Sequence, residues 1–365
     1  MKKKYKRVVI KVGSNVLTHA RGTLDTTRLS SLVDQVVELQ RAGVEVIVVS
    51  SGAVASGRSE ISTGGRRLDA VSERQLFSAI GQVKLINKYY NLFRDHGVVC
   101  GQVLTTKEAF SSRNHYLNQQ HCMRTMLESS VIPIVNENDT ISVTELMFTD
   151  NDELSGLVAT MMGADALVIL SNVDGLYDGD PSLESSRVIR RVEECAGDIS
   201  QYVVGSKSQF GRGGMLTKSR IARKVADEGV EVIVANGLRE EILLDLLLHD
   251  KDTVSTRFIP STRSASSIKR WIAHSDGFAK GVISIDDNAH KALLSPAATS
   301  LLAVGVVSVE GDFERGDVVK IASQSGTTIG VGRTSADSDE VRTNIGVRGA
   351  KPIIHYDYLY IEEEQ

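Results

Sequence analysis

Short β-branched runs alternate with helical patterns through the first two-thirds of the chain. Apolar runs of strand length lie at residues 8–12, 44–49, 98–104, 131–135, 166–170 and 230–235. Between these runs, apolar residues recur at helical spacing over residues 27–42, 73–95, 117–127, 152–162 and 215–228. Because strands that alternate with helices are joined by crossovers, the pattern predicts an α/β fold in which helices cover both faces of a mostly parallel sheet.

The pattern changes in the last third of the chain of 365 residues. Residues 252–267 are polar, and beyond them short strands are predicted at 281–285, 304–309, 318–321 and 353–361, with one helix near 288–294. This pattern predicts a small, barrel-like β domain. We therefore expect an α/β domain over residues 1–256, a linker over 257–273 and the β domain over 274–365.

The charge is distributed unevenly between these two parts. The chain has a formal net charge of -4, but residues 272–365 carry 8 Lys and Arg against 14 Asp and Glu. An acidic β domain disfavours the binding of nucleic acid phosphates, because affinity for phosphates depends on cationic contacts. The remaining residues are close to neutral, so the sequence gives no sign of a general nucleic-acid binder.

The cysteines and the apolar runs indicate where in the cell the protein is expected. Cys100, Cys122 and Cys195 are far apart and form no CxxC motif, which disfavours a disulfide framework or a zinc ribbon. The longest apolar runs fall short of the roughly 18 residues that a membrane-spanning helix needs. The expected location is the cytoplasm, with no membrane association and no protein metal site.

Polar residues follow the first two predicted strands at their carboxyl ends, where parallel sheets bind ligands. Lys11 lies inside the first apolar run and is followed by Gly13 and Ser14. A lysine in such a run is costly unless its ammonium group reaches a partner, a ligand or solvent. After the second strand come Ser51, Gly52 and Ala53. Taken alone they are best explained as a turn with an N-capping serine, and the alternative is that Gly52 lets a substrate carboxylate approach the backbone.

Two acidic and amide clusters lie further along the chain. Asn136 and Asp139 follow the fourth predicted strand, as either a plain loop or a site that recognises an ammonium and a carboxylate. Asp150, Asn151 and Asp152 open a helix, where one of them suffices as a cap. The surplus of capping residues favours a functional role for this cluster.

Two further segments could approach a nucleotide. Ser171, Asn172 and Asp174 follow the fifth strand and form either a turn or contacts to a base and ribose. A glycine-rich loop then runs into a helix at Arg212, Gly213, Gly214, Met215, Leu216, Thr217 and Lys218. Backbone amides at a helix start bind anions, and the lysine adds a positive charge. Together, two lysines, glycine-rich turns and acids without a hydrolytic triad favour phosphoryl transfer.

These motifs resemble the amino acid kinase superfamily. The matching residues are Val9–Ser14, Ser51–Ala53, Asn136–Asp139, Asp150–Asp152 and Gly213–Lys218. They are most similar to the branch of that superfamily that phosphorylates glutamate, and the segment beyond residue 269 is similar to the PUA domain found in many of its members. The resemblance implies an amino acid kinase-type α/β/α sandwich followed by a PUA domain.

The resemblance also implies an activity: ATP-dependent phosphorylation of the γ-carboxylate of L-glutamate to glutamyl 5-phosphate, the first step of proline synthesis from glutamate. It implies that Lys11 and Lys218 stabilise the transferring phosphoryl group and that Asp152 positions both lysines. Glutamate would contact Ser51, Gly52, Ala53, Asn136, Asp139, Asp150 and Asn151. ATP would contact Lys11, Gly13, Ser14, Ser171, Asn172, Asp174 and the loop from Arg212 to Lys218. Lys218 is expected to be exposed.

The partners that the resemblance implies are ATP with Mg²⁺, proline as a feedback inhibitor, a homo-oligomeric assembly and a functional link to glutamyl phosphate reductase. Two alternatives stay open. The chain could act on acetylglutamate, aspartate or a nucleoside monophosphate, or it could bind RNA through the second domain. Tyr356, Tyr358 and Tyr360 would share one face of a predicted strand as a stacking platform, but the acidic charge of the domain makes RNA the less favoured partner.

Overall fold

The computed structural model describes residues 4–19, 22–61, 67–111, 113–141, 151–181, 183, 185–193, 215–249, 251–261, 279–295, 299–349 and 351–361. The chain divides into two compact units. The first comprises residues 1–107 and 117–264, and the second comprises residues 108–116 and 265–365. Each unit has a sheet of its own.

An eight-stranded sheet forms the centre of the first unit. Its strands are β1 (Arg7–Val12), β2 (Glu45–Ser50), β3 (Val99–Thr105), β4 (Val131–Glu137), β5 (Ala166–Ser171), β6 (Arg191–Val192), β7 (Glu231–Asn236) and β8 (Ser255–Phe258). They lie in the order β3-β4-β2-β1-β5-β7-β8-β6. All neighbours are parallel except β7 and β8. The sheet is therefore mostly parallel, as predicted.

Nine helices of the first part of the chain are described: α1 (Ser14–Leu17), α2 (Thr26–Arg41), α3 (Ala53–Arg58), α4 (Ala70–Asp95), α5 (Glu108–Ser111), α6 (Arg113–Glu128), α7 (Asn151–Met162), α8 (Met215–Asp227) and α9 (Ile242–Leu247). Capping side chains determine where two of these helices, α2 and α4, begin. Asp25 accepts a hydrogen bond from the amide of Arg28, and Asp69 accepts from the amides of Val71 and Ser72. Side-chain caps of this kind satisfy amides that have no partner within the helix.

The central strands are buried on both faces. Every residue of β5 is buried, and Val8, Val9 and Ile10 of β1 are completely enclosed. Burial on both faces explains why these strands read as continuous apolar runs rather than as alternating ones. Lys11 interrupts one such run and is itself only 5% exposed, so its ammonium group needs a partner inside the protein.

Helix α3 packs against α4 at a very short backbone separation. A Cβ atom on Gly57 would lie 1.8 Å from the carbonyl oxygen of Phe77, and one on Gly81 would lie 1.7 Å from that of Ala53. No side chain fits at either position, so the two glycines determine how closely the helices approach. This packing fixes the segment that follows Ser51 against the long helix α4.

The predicted linker is wrong at its first residues. Arg257 and Phe258 belong to β8, where Phe258 is completely buried, and Ser261 donates a backbone hydrogen bond to Ala226. Strand β8 has only four residues and is flanked by polar residues, so the sequence pattern did not reveal it. Residues 262–273 of the predicted linker lie outside the described part of the chain.

The second unit contains a five-stranded sheet of β9 (Gly281–Ile285), β10 (Val306–Gly311), β11 (Val318–Ala322), β12 (Thr328–Arg333) and β13 (Leu359–Ile361), in the order β10-β9-β11-β12-β13. Strands β9 and β11 are parallel and the other neighbours are antiparallel. Helices α10 (Asp287–Leu294) and α11 (Ser338–Thr343) accompany it.

The prediction of one strand over residues 353–361 is wrong, and with it the single face that the alternative of a tyrosine stacking platform required. Residues 353–361 do not form one strand, because Tyr356–Tyr358 make a 3-10 turn and only Leu359–Ile361 pair in the sheet. Tyr356 and Tyr358 therefore do not share a strand face with Tyr360. Arg333 instead lies over the Tyr358 ring, 4.3 Å from its centre.

Candidate active site

The predicted site residues meet at the carboxyl ends of adjacent strands. Strand β1 lies between β2 and β5, and β4 lies beyond β2. Gly13 follows β1, Ser51 follows β2, Asn136 is the last residue but one of β4, and Ser171 ends β5. The sheet order therefore brings together residues that are up to 158 positions apart in the sequence, at the edge where parallel sheets bind ligands.

Two lysines share one buried carboxylate. The Lys11 Nζ atom lies 2.5 Å from Oδ1 of Asp152, and the Lys218 Nζ atom lies 2.8 Å from Oδ2. The Asp152 side chain is completely buried, and 7% of the Lys11 side chain and 14% of the Lys218 side chain are exposed. The expectation that Lys218 is exposed is therefore wrong, because this lysine folds inward onto Asp152.

The two ammonium groups determine the ionisation of this acid. Burial alone would raise the pKa of Asp152, but the charges of Lys11 and Lys218, and hydrogen bonds from both, hold that pKa below its ordinary value. The group of Lys11, Asp152 and Lys218, called here the lysine cluster, thus holds two positive charges against one negative charge. The three side chains together therefore carry a formal surplus of one positive charge.

A glycine allows helix α8 to bring Lys218 to this cluster. A Cβ atom on Gly156 of α7 would lie 2.8 Å from Cγ2 of Val225 and 3.2 Å from Cγ2 of Ile221, both on α8. These distances are shorter than ordinary van der Waals contacts between carbon atoms. The close packing of α7 and α8 therefore depends on the absence of a side chain at Gly156.

Asn151 contacts two other predicted substrate residues, Ser51 and Asn136. Its Nδ2 donates to Ser51 Oγ at 2.9 Å and to Asn136 Oδ1 at 3.1 Å, with a longer contact of 3.3 Å to the carbonyl oxygen of Ser50. Asn136 Oδ1 also accepts from the amide of Glu137 at 2.9 Å. Because Asn151 directly precedes Asp152, this network is connected to the lysine cluster through one peptide bond.

A second charged group lies on the other side of this network. Arg74 of α4 donates through Nε to Asp139 Oδ1 at 2.6 Å and through Nη2 to Glu137 Oε2 at 2.9 Å. Ser78, one turn along the helix, donates to Asp139 Oδ2 at 3.1 Å. Glu137 and Asp139 are 2% and 6% exposed. This acidic cluster, comprising Arg74, Glu137 and Asp139, holds two negative charges against one positive charge.

The predicted nucleotide residues Gly13, Ser14, Ser171, Asn172 and Asp174 lie at the ends of β1 and β5, beside the end of β7. The Gly13 amide donates to the Leu170 carbonyl at 3.3 Å, and the Gly237 amide donates to the Ser171 carbonyl at 2.8 Å. Ser14 begins the short helix α1. Ser171 is buried, whereas the next residue, Asn172, is exposed.

Asp174 lies next to these residues and has two partners. Arg239 donates to its Oδ1 at 2.7 Å and Asn236 donates to the same atom at 3.1 Å. The hydrogen bond from Arg239 is the main cause that lowers the pKa of the Asp174 carboxyl. Asp174 is thus an ionised, neutralised carboxylate rather than an isolated charge.

The remaining predicted residues divide into two groups. Met215, Leu216 and Thr217 form the first turn of α8, directly before Lys218. Gly52 has a φ of 103°, a left-handed conformation that favours glycine, and it precedes the buried Ala53. Asp150, Arg212, Gly213 and Gly214 lie outside the described residues.

Sequence reasoning missed Arg74, Ser78, Glu137, Asn236 and Arg239. Only Glu137 had a sequence signal, because it lies between Asn136 and Asp139 at the end of a buried strand. Among the described residues, no three His, Cys, Asp or Glu side chains group as a metal site. No helix in the same residues is long and apolar enough to cross a membrane.

Two family models match the chain. The model of the amino acid kinase family matches residues 6–236, and the model of the PUA domain matches residues 281–355. The glutamate 5-kinase of Bacteroides thetaiotaomicron is 61% identical over 362 residues, 99% of this chain and 100% of that protein. The glutamate 5-kinase of Chlorobaculum tepidum is 47% identical over 358 residues, 98% of each chain.

Among solved structures, carbamate kinase from Giardia lamblia bound to AMP-PNP is similar in fold. The TM-score is 0.52 at 16% identity, over 70% of this chain and 99% of that chain. At this identity the similarity concerns the arrangement of the backbone alone. It covers less of the chain than the curated relatives do, which match almost all of it.

Proposed function

Since the chain belongs to the amino acid kinase family, and within it to the glutamate 5-kinases, we propose that its site transfers the γ-phosphoryl group of ATP to the γ-carboxylate of L-glutamate. The products are ADP and glutamyl 5-phosphate, and the reaction is the first step of proline synthesis from glutamate. The observation that carries this assignment is the pairing of two charged clusters with opposite surplus charge, joined through Asn136 and Asn151.

The acceptor needs no general base. A glutamate carboxylate has a pKa near 4.3, so it is already ionised at neutral pH and has no proton to lose. One of its oxygens attacks the γ-phosphorus while the bond to the β-phosphate oxygen breaks, and ADP leaves. A site that offers lysines and a neutralised acid, rather than a histidine and a nucleophile, suits this reaction.

The lysine cluster addresses the main obstacle to the reaction, which is the approach of two anions. The surplus positive charge of Lys11 and Lys218 offsets the repulsion between the acceptor carboxylate and the γ-phosphate. Asp152 holds both ammonium groups in place before substrates arrive. Charge that is fixed in advance in a water-poor site stabilises the transition state without reorganisation.

The acidic cluster and the asparagine network suit the amino acid end of the substrate. A free ammonium group complements the surplus negative charge at Glu137 and Asp139, which an acetylated amine would not. Ser51, Asn136 and Asn151 offer donors and acceptors between the two clusters. Gly52 and Ala53 add backbone that a carboxylate can approach closely. This arrangement favours glutamate over acetylglutamate as acceptor.

ATP would lie across Gly13, Ser14, Ser171, Asn172 and Asp174, with its phosphates toward Lys11 and the start of α8. Mg²⁺ usually reaches kinase sites with the substrate phosphates, keeping several waters and few protein ligands. The described acids nearest to the proposed phosphates, Asp152 and Asp174, already contact Lys or Arg side chains. Such a site fits a metal that is held mainly by the phosphates and by water. When bound to ATP, Mg²⁺ would neutralise part of the phosphate charge.

The proposal includes an inhibitor, a partner enzyme, an assembly state and a cellular location. Proline carries an α-ammonium and an α-carboxylate, so it suits the same acidic cluster as a feedback inhibitor. The product is a reactive acyl phosphate, which favours a functional link to glutamyl phosphate reductase. Strand β3 lies at the sheet edge with Val99 and Leu104 exposed, which supports a homo-oligomer. Cys100 and Cys122 are free thiols, in keeping with a reducing cytoplasm.

An acceptor panel tests the proposal. ADP release would be measured with ATP and Mg²⁺ and, in turn, L-glutamate, N-acetyl-L-glutamate, L-aspartate and UMP. We expect L-glutamate to give the highest kcat/KM, and hydroxylamine to trap the product as a hydroxamate. Turnover of another acceptor without turnover of glutamate would overturn the assignment.

A further inference from the structure

We propose that Arg74 is a positioning residue for the substrate ammonium group, because it fixes the Asp139 carboxylate against helix α4. This inference rests on the proposed function, because it concerns the amino acid end of the same site. Arg74 lies on helix α4, 65 residues before Asp139 in the sequence. It belongs to none of the motifs that identify the site from the sequence.

Burying the two acids of the cluster is costly. Glu137 and Asp139 lie two residues apart and are both almost completely buried. Two neighbouring buried carboxylates repel each other and lose their hydration, so they need a cation. Arg74 provides one, and its planar guanidinium donates to both acids at once, at 2.6 Å to Asp139 and 2.9 Å to Glu137.

Helix α4 also fixes the orientation of the Asp139 carboxylate. Both of its oxygens accept hydrogen bonds from the same helix, Oδ1 from Arg74 and Oδ2 from Ser78. Two donors on successive turns define the plane of the carboxylate as well as its position. A ligand that approaches from the asparagine network therefore meets a carboxylate whose direction is already set.

The contacts of Arg74 lie in the acidic cluster, where its guanidinium donates to Glu137 and Asp139, whereas Lys11 and Lys218 contact Asp152. Without Arg74, Ser78 would remain as the donor to Asp139, and the direction of that carboxylate would no longer be fixed by two hydrogen bonds. Arg74 thus acts on the ammonium end of glutamate and not on the phosphoryl end.

The test compares Arg74→Met, Arg74→Lys and the unaltered enzyme in steady-state assays with glutamate and ATP varied separately. We expect Arg74→Met to raise KM for glutamate about tenfold or more, as for the loss of a hydrogen bond between charged groups. The kcat and the KM for ATP should change by less than about twofold, because the lysine cluster is untouched. Arg74→Lys restores the charge without the planar fork, so its KM should lie between the two.

Arg94→Met is the matched control, since Arg94 lies in the last turn of the same helix and is exposed. It should leave all three constants unchanged. A KM for glutamate that stays unchanged in Arg74→Met would overturn the inference, and so would a parallel loss of kcat and of ATP affinity. Lack of glutamate kinase activity in the unaltered enzyme would instead overturn the proposed function.

Discussion

Asn151 and Asn136 share a hydrogen bond of 3.1 Å that joins the two charged clusters of the site. Asn151 directly precedes Asp152 of the lysine cluster, and Asn136 directly precedes Glu137 of the acidic cluster. The lysine cluster and the acidic cluster are therefore connected by this hydrogen bond and two peptide bonds. This relationship explains how a substrate with an ammonium group at one end and a reacting carboxylate at the other can be oriented.

The first prediction concerns Lys218. Replacing it with alanine should lower kcat by about 10²–10³-fold, the usual cost of removing one preorganised group that stabilises the transition state. ADP release at saturating substrates measures this. Arg220→Ala on the exposed side of the same helix is the control and should retain full activity. Unaltered kcat in Lys218→Ala would remove this lysine from the catalytic group.

The second prediction concerns pH and Asp152. Its pKa is lowered in the folded protein, below the ordinary value of 3.8. A depressed pKa contributes stability that is fully present above the unfolded value and is lost as the pH falls through the folded value. The Tm difference between the unaltered enzyme and Asp152→Asn should therefore be constant from about pH 7 to about pH 5 and shrink below about pH 4. A difference that grows on acidification would contradict the lowered pKa.

The third prediction concerns Gly156. Alanine at this position should push α8 away from α7, cost about 1–3 kcal/mol of stability through overpacking and lower kcat by moving Lys218 from Asp152. Combining Gly156→Ala with Val225→Ala removes the nearer of the two clashing methyl groups. The double variant should regain part of both losses. Equal kcat in Gly156→Ala and the unaltered enzyme would show that the helix spacing does not control Lys218.

The fourth prediction concerns Arg239 and the nucleotide. Arg239→Ala leaves the Asp174 carboxylate without its main partner, next to the proposed phosphate and ribose site. The uncompensated charge should raise KM for ATP about tenfold and leave KM for glutamate unchanged. Asp174→Asn in the Arg239→Ala background removes the repelling charge and should restore part of the affinity. A change confined to glutamate would place Asp174 outside the nucleotide site.

The sequence predicts the elements that have a long periodic pattern. The six longest strands of the first unit and its main helices lie where the apolar spacing places them, to within a few residues at their ends. Short elements were missed, because six residues of α3 or four of β8 carry too little periodicity to stand out. Their positions depend on tertiary packing instead, as the contact of Gly57 with Phe77 illustrates.

The site divides in the same way. Lys11, Asp152 and Lys218 are predictable because a lysine in an apolar strand, a surplus of caps and a glycine-rich helix start each stand out locally. Arg74 does not, since an arginine in a helical segment is ordinarily a surface residue. Its role depends on a contact across 65 residues with Asp139. Such pairs follow from the fold and not from a local pattern.

The position of phosphorylation tests the central claim most directly. L-Glutamate labelled with carbon-13 at the γ-carboxyl carbon would be incubated with the enzyme, ATP, Mg²⁺ and hydroxylamine, and the hydroxamate examined by carbon-13 NMR. The account predicts that the labelled carbon carries the hydroxamate, because the acidic cluster holds the ammonium end and the lysine cluster meets the γ-carboxylate. A hydroxamate at the unlabelled α-carboxyl carbon, or ADP release without any hydroxamate, would contradict it.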